Sequence, residues 1–140
     1  MFDVDTCVSF ITNQAAKKLA DAFNNRLIPK GITRVQWIAL FYLGKSDKLN
    51  QKKLGELMNI KDSTVARLID RMENEGFIIR TKDPEDRRNT LLLLTKKGSK
   101  FREEMLIEGE EMSKIFAQGI SDDEIEIFKK VLDKMVNNIK

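Results

Sequence analysis

Two adjacent arginines, Arg87 and Arg88, close an acidic turn in the segment TKDPEDRRNTLLLLTKKG, residues 81–98, and a run of four leucines follows them. Upstream, KDSTVARLIDR (61–71) brings Lys61, Ser63, Thr64, Arg67 and Arg71 onto one short stretch. Guanidinium groups in such numbers suit recognition: Arg can take guanine O6 and N7 together, and Thr64 or Ala66 can pack on a thymine methyl. Ser63 near a helix N-terminus suits a phosphate. Bond-making chemistry has far less to work with. The chain has no histidine, which removes the commonest general base and transition-metal ligand. The acids of REEMLIEGEEM and SDDEIE read as solvated helix faces and as partners of helix N-terminal dipoles, with no nucleophile or metal gathered around them. The expectation is a protein that is not an enzyme and uses no cofactor and no metal.

The elements that must position these groups come from an ordinary globular composition. With 140 residues, 41% of them apolar, the chain matches one domain with a real core. No apolar run approaches the roughly 18 residues of a membrane span. The acidic start MFDVD does not resemble a signal peptide, and a single cysteine, Cys7, excludes an internal disulfide framework. These features predict a cytoplasmic protein with no membrane partner. Charge is uneven. Residues 45–100 carry 14 Lys/Arg against 9 Asp/Glu, whereas residues 101–140 carry 6 against 10. A basic middle between less basic ends suggests a face for a polyanion.

Apolar spacing predicts a first helix over Val4–Ile28, ended by Pro29-Lys30-Gly31. A second helix starts at ITRVQW, with Thr33 and Gln36 as a capping box, and runs to Gly44. Asn50 caps a short helix over Gln51–Met58. Another follows over Asp62–Glu75, with Val65, Leu68, Ile69 and Met72 on one face and Gly76 at its end. FIIRTK and NTLLLLT read as paired antiparallel strands around the tip DPEDRR. Thr95 caps a further helix, and Ser121 with Glu124 opens a last one bearing Ile125, Phe128, Leu132, Met135 and Ile139. Both chain ends are long amphipathic helices whose stripes a second copy of the chain can cover.

Two short helices joined by a tight turn and followed by a hairpin describe a helix-turn-helix with a wing: a mainly α fold with a small antiparallel β-wing. In that motif the second helix enters the major groove. Lys61, Ser63, Thr64, Arg67 and Arg71 are then the candidate groove and phosphate contacts. Arg87 and Arg88 suit the minor groove or its phosphates, and Asp86 is placed to orient Arg88 through a bidentate pair. Lys96 and Lys97 oppose the dipole of the helix they open, a cost that phosphate contacts would offset. A winged helix acting only through protein contacts is the competing reading.

The stretch DRRNTLLLLTKKG is similar to the wing signature of the multiple antibiotic resistance regulator (MarR) family, and KLGELMNIKDSTVARLIDRMENEGFIIR resembles that family's helix-turn-helix and first wing strand. The resemblance covers nearly the whole chain. It implies a single MarR-like domain over 1–140, with dimerisation helices at 1–32 and 100–140 and a winged helix-turn-helix DNA-binding lobe at 33–99. It implies a homodimer on a pseudo-palindromic double-stranded DNA operator, most often as a repressor. It further implies a small-molecule or redox signal that resets the spacing of the two recognition helices. The resemblance puts a ligand crevice near Phe10, Ala15, Trp37, Phe41 and Tyr42. Some members sense peroxide through a first-helix cysteine. Here Cys7 is flanked by Asp3 and Asp5, which are expected to raise its thiol pKa, and ITRVQW lacks the tyrosine of that branch, so an incidental cysteine is expected.

Overall fold

A computed structural model describes residues 1–140. Six helices and one hairpin follow in the order α1 (Val8–Leu27), α2 (Arg34–Lys45), α3 (Gln51–Met58), α4 (Asp62–Asn74), β1 (Ile78–Lys82), β2 (Thr90–Leu94), α5 (Lys96–Phe116) and α6 (Asp122–Asn137). The chain divides into two compact units, Met1–Gly109 and Glu110–Lys140. No helix is long and apolar enough to cross a membrane.

Local chemistry sets most of the boundaries. Thr33 Oγ1 accepts from Gln36 N and Gln36 Oε1 accepts from Thr33 N, so the expected capping box opens α2. Asn50 Oδ1 accepts from Lys53 N and opens α3. At the end of α4, Phe77 N donates to Met72 O and Gly76 N to Glu73 O, with Gly76 at φ +83°. That left-handed turn is one a glycine takes without a Cβ clash. Phe77 is used up in this closure, so β1 begins one residue later than the apolar run suggests. The first helix also starts late, at Val8. Asp3 Oδ1 accepts from Asp5 N and winds residues Val4–Thr6 into a 3-10 turn, which extended Cys7 then separates from α1.

In the first unit the stripe of α4 (Val65, Leu68, Ile69, Met72) packs with Leu54 of α3, Ala39, Leu40 and Leu43 of α2, Leu27 of α1, and Ile78 and Leu92 of the hairpin. Fully burying each such aliphatic side chain contributes about 1.5–3 kcal/mol. The strands pair antiparallel in the register Ile78↔Leu94 to Lys82↔Thr90. On its other side Leu92 N donates to Leu49 O at 2.8 Å, so β2 is held between β1 and the residue that precedes the α3 cap Asn50. This is what the leucine run does: Leu91 and Leu92 are both buried although they point to opposite faces.

The first turn of α5 is tied to the end of α4. Thr95 Oγ1 donates to Gly76 O (2.6 Å) and accepts from Gly98 N (3.0 Å), and a Cβ on Gly98 would collide with the Phe77 carbonyl. Farther along α5, Arg102 donates to the Leu40 and Phe41 carbonyls of α2. Glu108, the polar interruption in that helix's apolar pattern, joins Arg26 of α1 (2.7 Å) and Lys30 of the 3-10 turn that follows it (3.0 Å). In the second unit, Ser121 and Glu124 form the expected capping box of α6, and no residue of that helix is buried.

Candidate nucleic-acid interface

Asn59, at φ +54°, turns the chain between α3 and α4. With Val65, Leu68, Ile69 and Met72 inward, the other face of α4 presents Lys61, Asp62, Ser63, Thr64, Arg67, Asp70 and Arg71 to solvent, while Ala66 is half-buried. Lys61, at the N-cap, makes no side-chain capping bond, and its carbonyl accepts from Thr64 N and Val65 N, so only the amides of Asp62 and Ser63 are left for an outside acceptor. Arg67 has no side-chain partner within the protein. Arg71 is committed differently, through an ion pair to Glu75 at 3.1 Å.

The wing places Arg87 and Arg88 on an exposed tip, with the Arg88 side chain 92% exposed. Asp86 and Arg88 do meet, though not as a bidentate fork. Asp86 Oδ1 alone accepts from both Arg88 N (3.1 Å) and Arg88 Nε (3.2 Å). That single oxygen is shared with the backbone amide of the turn, and no guanidinium bond reaches Asp86 Oδ2. Lys97 departs from its expected place at the phosphates. Its Nζ donates to Glu75 O at 2.7 Å and lies 5.1 Å from the centre of the Phe77 ring, closing the C-terminal end of α4 where a cation suits the dipole.

Several residues of this region gave no sign of their role in the sequence. Arg80 on β1 reaches back to α4, with Nη2 on Asp70 Oδ1 at 2.6 Å and Nη1 on Glu73, so that one guanidinium offsets two acids beside the recognition face. Their carboxylates favour the charged guanidinium, and Arg80's pKa rises. Asp83 is 9% exposed, and its carboxylate accepts from Glu85 N and Asn89 Nδ2. Those bonds hold its pKa below the ordinary carboxylate value. The only available signal was the Asp-Pro pair that opens the turn.

The residues expected around a crevice separate into two groups. Trp37, Phe41 and Tyr42 of α2 form an aromatic ladder: Trp37 and Phe41 stack at 6.2 Å, and Phe41 meets Tyr42 edge-on at 5.5 Å. The α1 ring against Trp37 is Phe23, at 5.1 Å, whereas Phe10 and Ala15 sit on the exposed N-terminal half of that helix. Trp37 Nε1 is already bonded to Met105 O at 2.7 Å. Cys7 corrects an expectation. Its thiol pKa is lowered, first by the Ser9 hydroxyl at 3.3 Å and then by backbone amides at the start of α1, and these outweigh the small desolvation that would raise it.

A helix with an uncapped N-terminus and the exposed cations Lys61 and Arg67, beside an arginine-tipped hairpin, defines a winged helix-turn-helix of the DNA-binding kind. The MarR family model matches residues 32–90. The HTH-type transcriptional regulator YwoH of Bacillus subtilis is 36% identical over 93 residues, which cover 66% of this chain and 67% of that protein. The chain belongs to the MarR family and is a DNA-binding transcriptional regulator. Among solved structures, MepR of S. aureus in complex with DNA superposes with a TM-score of 0.85 at 25% identity, covering 94% of this chain and 98% of MepR. CouR of Rhodococcus jostii RHA1 bound to p-coumaroyl-CoA superposes with a TM-score of 0.85 at 23% identity, covering 96% and 95%.

Proposed function

We propose that the protein is a cytoplasmic homodimeric repressor that sets two α4 helices in successive major-groove half-sites of a pseudo-palindromic operator and releases them when a small molecule binds. One observation carries the reading: Lys61, Ser63, Thr64 and Arg67 line the free face of α4, in the same compact unit as a wing ending in Arg87 and Arg88. In this reading Arg67 contacts a base edge, Lys61 and Ser63 contact phosphates, and the wing arginines enter or flank the minor groove. Arg71 supports α4 through Glu75 and lends charge to the same face. The homodimer is supported by large apolar side chains left uncovered on terminal helices. Val8 and Ile11 of α1 are 59% and 49% exposed, and Phe128 and Val131 of α6 are 57% and 45% exposed.

The test begins with selection of a duplex from random sequence, followed by titration at rising salt. Affinity is expected to fall steeply with salt, and Arg88→Ala to flatten that slope by about one phosphate's worth. A salt-independent affinity, or an unchanged slope in Arg88→Ala, rejects this mechanism. The effector is sought by a ligand screen that follows Trp37, the only tryptophan, whose ring lies in the α2 ladder. The lowered pKa of Cys7 favours a second reading, in which oxidation of that thiol releases DNA. Oxidant release that persists unchanged in Cys7→Ser rules it out.

A further inference from the structure

A DNA-facing loop with three acids looks badly chosen, and the structure shows where two of them go. The segment from Asp83 to Asn89 is closed by its own backbone: Asp83 N donates to Asn89 O (3.0 Å), Asp86 N to Asp83 O (3.2 Å) and Asn89 N to Asp86 O (2.9 Å). Side chains then carry the connection out of the wing. Asp83 Oδ1 accepts from Glu85 N (2.9 Å), and Asp83 Oδ2 accepts from Asn89 Nδ2 (3.2 Å). Asn89 Oδ1 accepts from Asn50 Nδ2 (2.9 Å), and Asn50 Oδ1 accepts from Lys53 N in the first turn of α3 (2.8 Å).

The polarity of this chain has one source. An ionised carboxylate only accepts, so the amide of Asn89 must turn its NH2 toward Asp83 and its oxygen toward Asn50. Asn50 must then present its own NH2 to Asn89, which leaves its oxygen for the Lys53 amide. Each side-chain atom that could be misdirected is fixed by the one before it. Asp83 is buried and Asn50 and Asn89 are half-buried, so these bonds are partly shielded from water.

We propose that Asn89 is a positioning residue for operator binding: bridging Asp83 and the α3 cap Asn50, it locks the wing tip so that Arg87 and Arg88 meet DNA on a base already ordered. The inference rests on the wing contact proposed above and adds the residue that prepares it. The physical gain is preorganisation. A seven-residue tip left free in solution must be ordered when it binds, and that cost is subtracted from the affinity its arginines supply. Asp83 and Asp86 are thereby explained: Asp83 serves the loop's own amides, Asp86 holds both the amide and the Nε of Arg88, and the arginines are the groups that project.

The test is a double-mutant cycle read by affinity for the selected duplex. Asn89→Ala is expected to weaken binding about 3–10-fold in the full-length protein, and by less than about twofold when Arg87→Ala and Arg88→Ala are already present. A loss that persists undiminished without the arginines overturns the lock, as does an Asn89→Ala protein that binds normally. Unchanged affinity in the Arg87→Ala, Arg88→Ala protein is a different failure, since it removes the wing contact itself and the lock with it. An exchange separates positioning from general structure. Asn89→Asp sets two carboxylates against each other and should bind worse than Asn89→Ala. Adding Asp83→Asn returns an amide donor to that link and should restore affinity to within about twofold of the unmodified protein. An exchanged pair that binds no better than Asn89→Asp alone overturns the proposal, with hydrogen exchange at the Asp86 and Asn89 amides reporting whether the loop has closed.

Discussion

Helices α4 and α6 carry the same kind of apolar stripe and meet opposite fates. In α4, Val65, Leu68, Ile69 and Met72 are at most 8% exposed. In α6 no residue is buried: of its stripe, Ile125, Leu132 and Met135 are half-buried and Phe128 is 57% exposed, and Val131 and Val136 on the stripe's flanks are 45% and 51% exposed. Periodicity therefore specified an apolar face in both helices, but covering that face takes partners. Helix α4 has them within its own compact unit, from α1, α2, α3 and the hairpin. The face of α6 is the kind of surface that a second copy of the chain would complete.

The contrast can be broken by adding charge to the uncovered stripe. Phe128→Glu with Val131→Glu is expected to lower the solution mass from near twice 16.2 kDa to 16.2 kDa. It should also weaken operator binding by about 10²–10⁴-fold, because each half-site loses the effective concentration of its twin. A wild-type protein that is monomeric at all concentrations defeats the homodimer reading outright. Next in size is the covered stripe. Ile69→Ala should cost about 2–5 kcal/mol in denaturant unfolding, and Phe128→Ala should lower thermal stability in a concentration-dependent way. A concentration-independent loss in Phe128→Ala would mean that α6 is covered within one chain.

On the solvent face of α4, Arg67→Ala should cost about 1–3 kcal/mol and relax preference at one base position. A uniform loss across sequences assigns Arg67 to phosphate instead. The smallest effect concerns the polar break in α5. Arg26 first, then Lys30, hold the Glu108 carboxyl below its ordinary value of 4.5. A depressed folded pKa contributes stability that is complete above the unfolded value and is lost as pH falls through the folded one. Unfolding midpoints of wild type and Glu108→Gln should therefore differ at neutral pH and converge at acid pH below 4.5. A gap that is constant with pH removes the ion pairs as its cause.

Much of the fold was legible because its signals are short-range. The two capping boxes, the Asn50 cap and the glycine turn after α4 each depend on groups within a few residues of one another, and all four formed as expected. The contacts that could not be read in sequence share the opposite property. Lys97 finds a carbonyl 22 residues away, Arg102 finds one 61 residues away, and Asn50 and Asn89 meet across 39 residues. A lysine's sequence neighbours cannot tell whether its ammonium will face a phosphate or a helix end. The direction of the Cys7 thiol pKa was misjudged for a related reason: flanking acids are visible in sequence, whereas the approach of the Ser9 hydroxyl and the direction of first-turn amides are properties of the folded helix.

By itself the sequence determined the kind of elements, their order and the family, because periodicity, caps and the DRRNTLLLLTKKG signature are local patterns of side-chain type. The tertiary structure alone decided which charges remain available. It committed Arg80 to Asp70 and Glu73, Lys97 to the end of α4, and Asp83 to the wing's own amides, while Arg67 and Arg87 stayed exposed. A charge is a property of one residue, but its availability depends on every group the fold brings within a few ångströms of it.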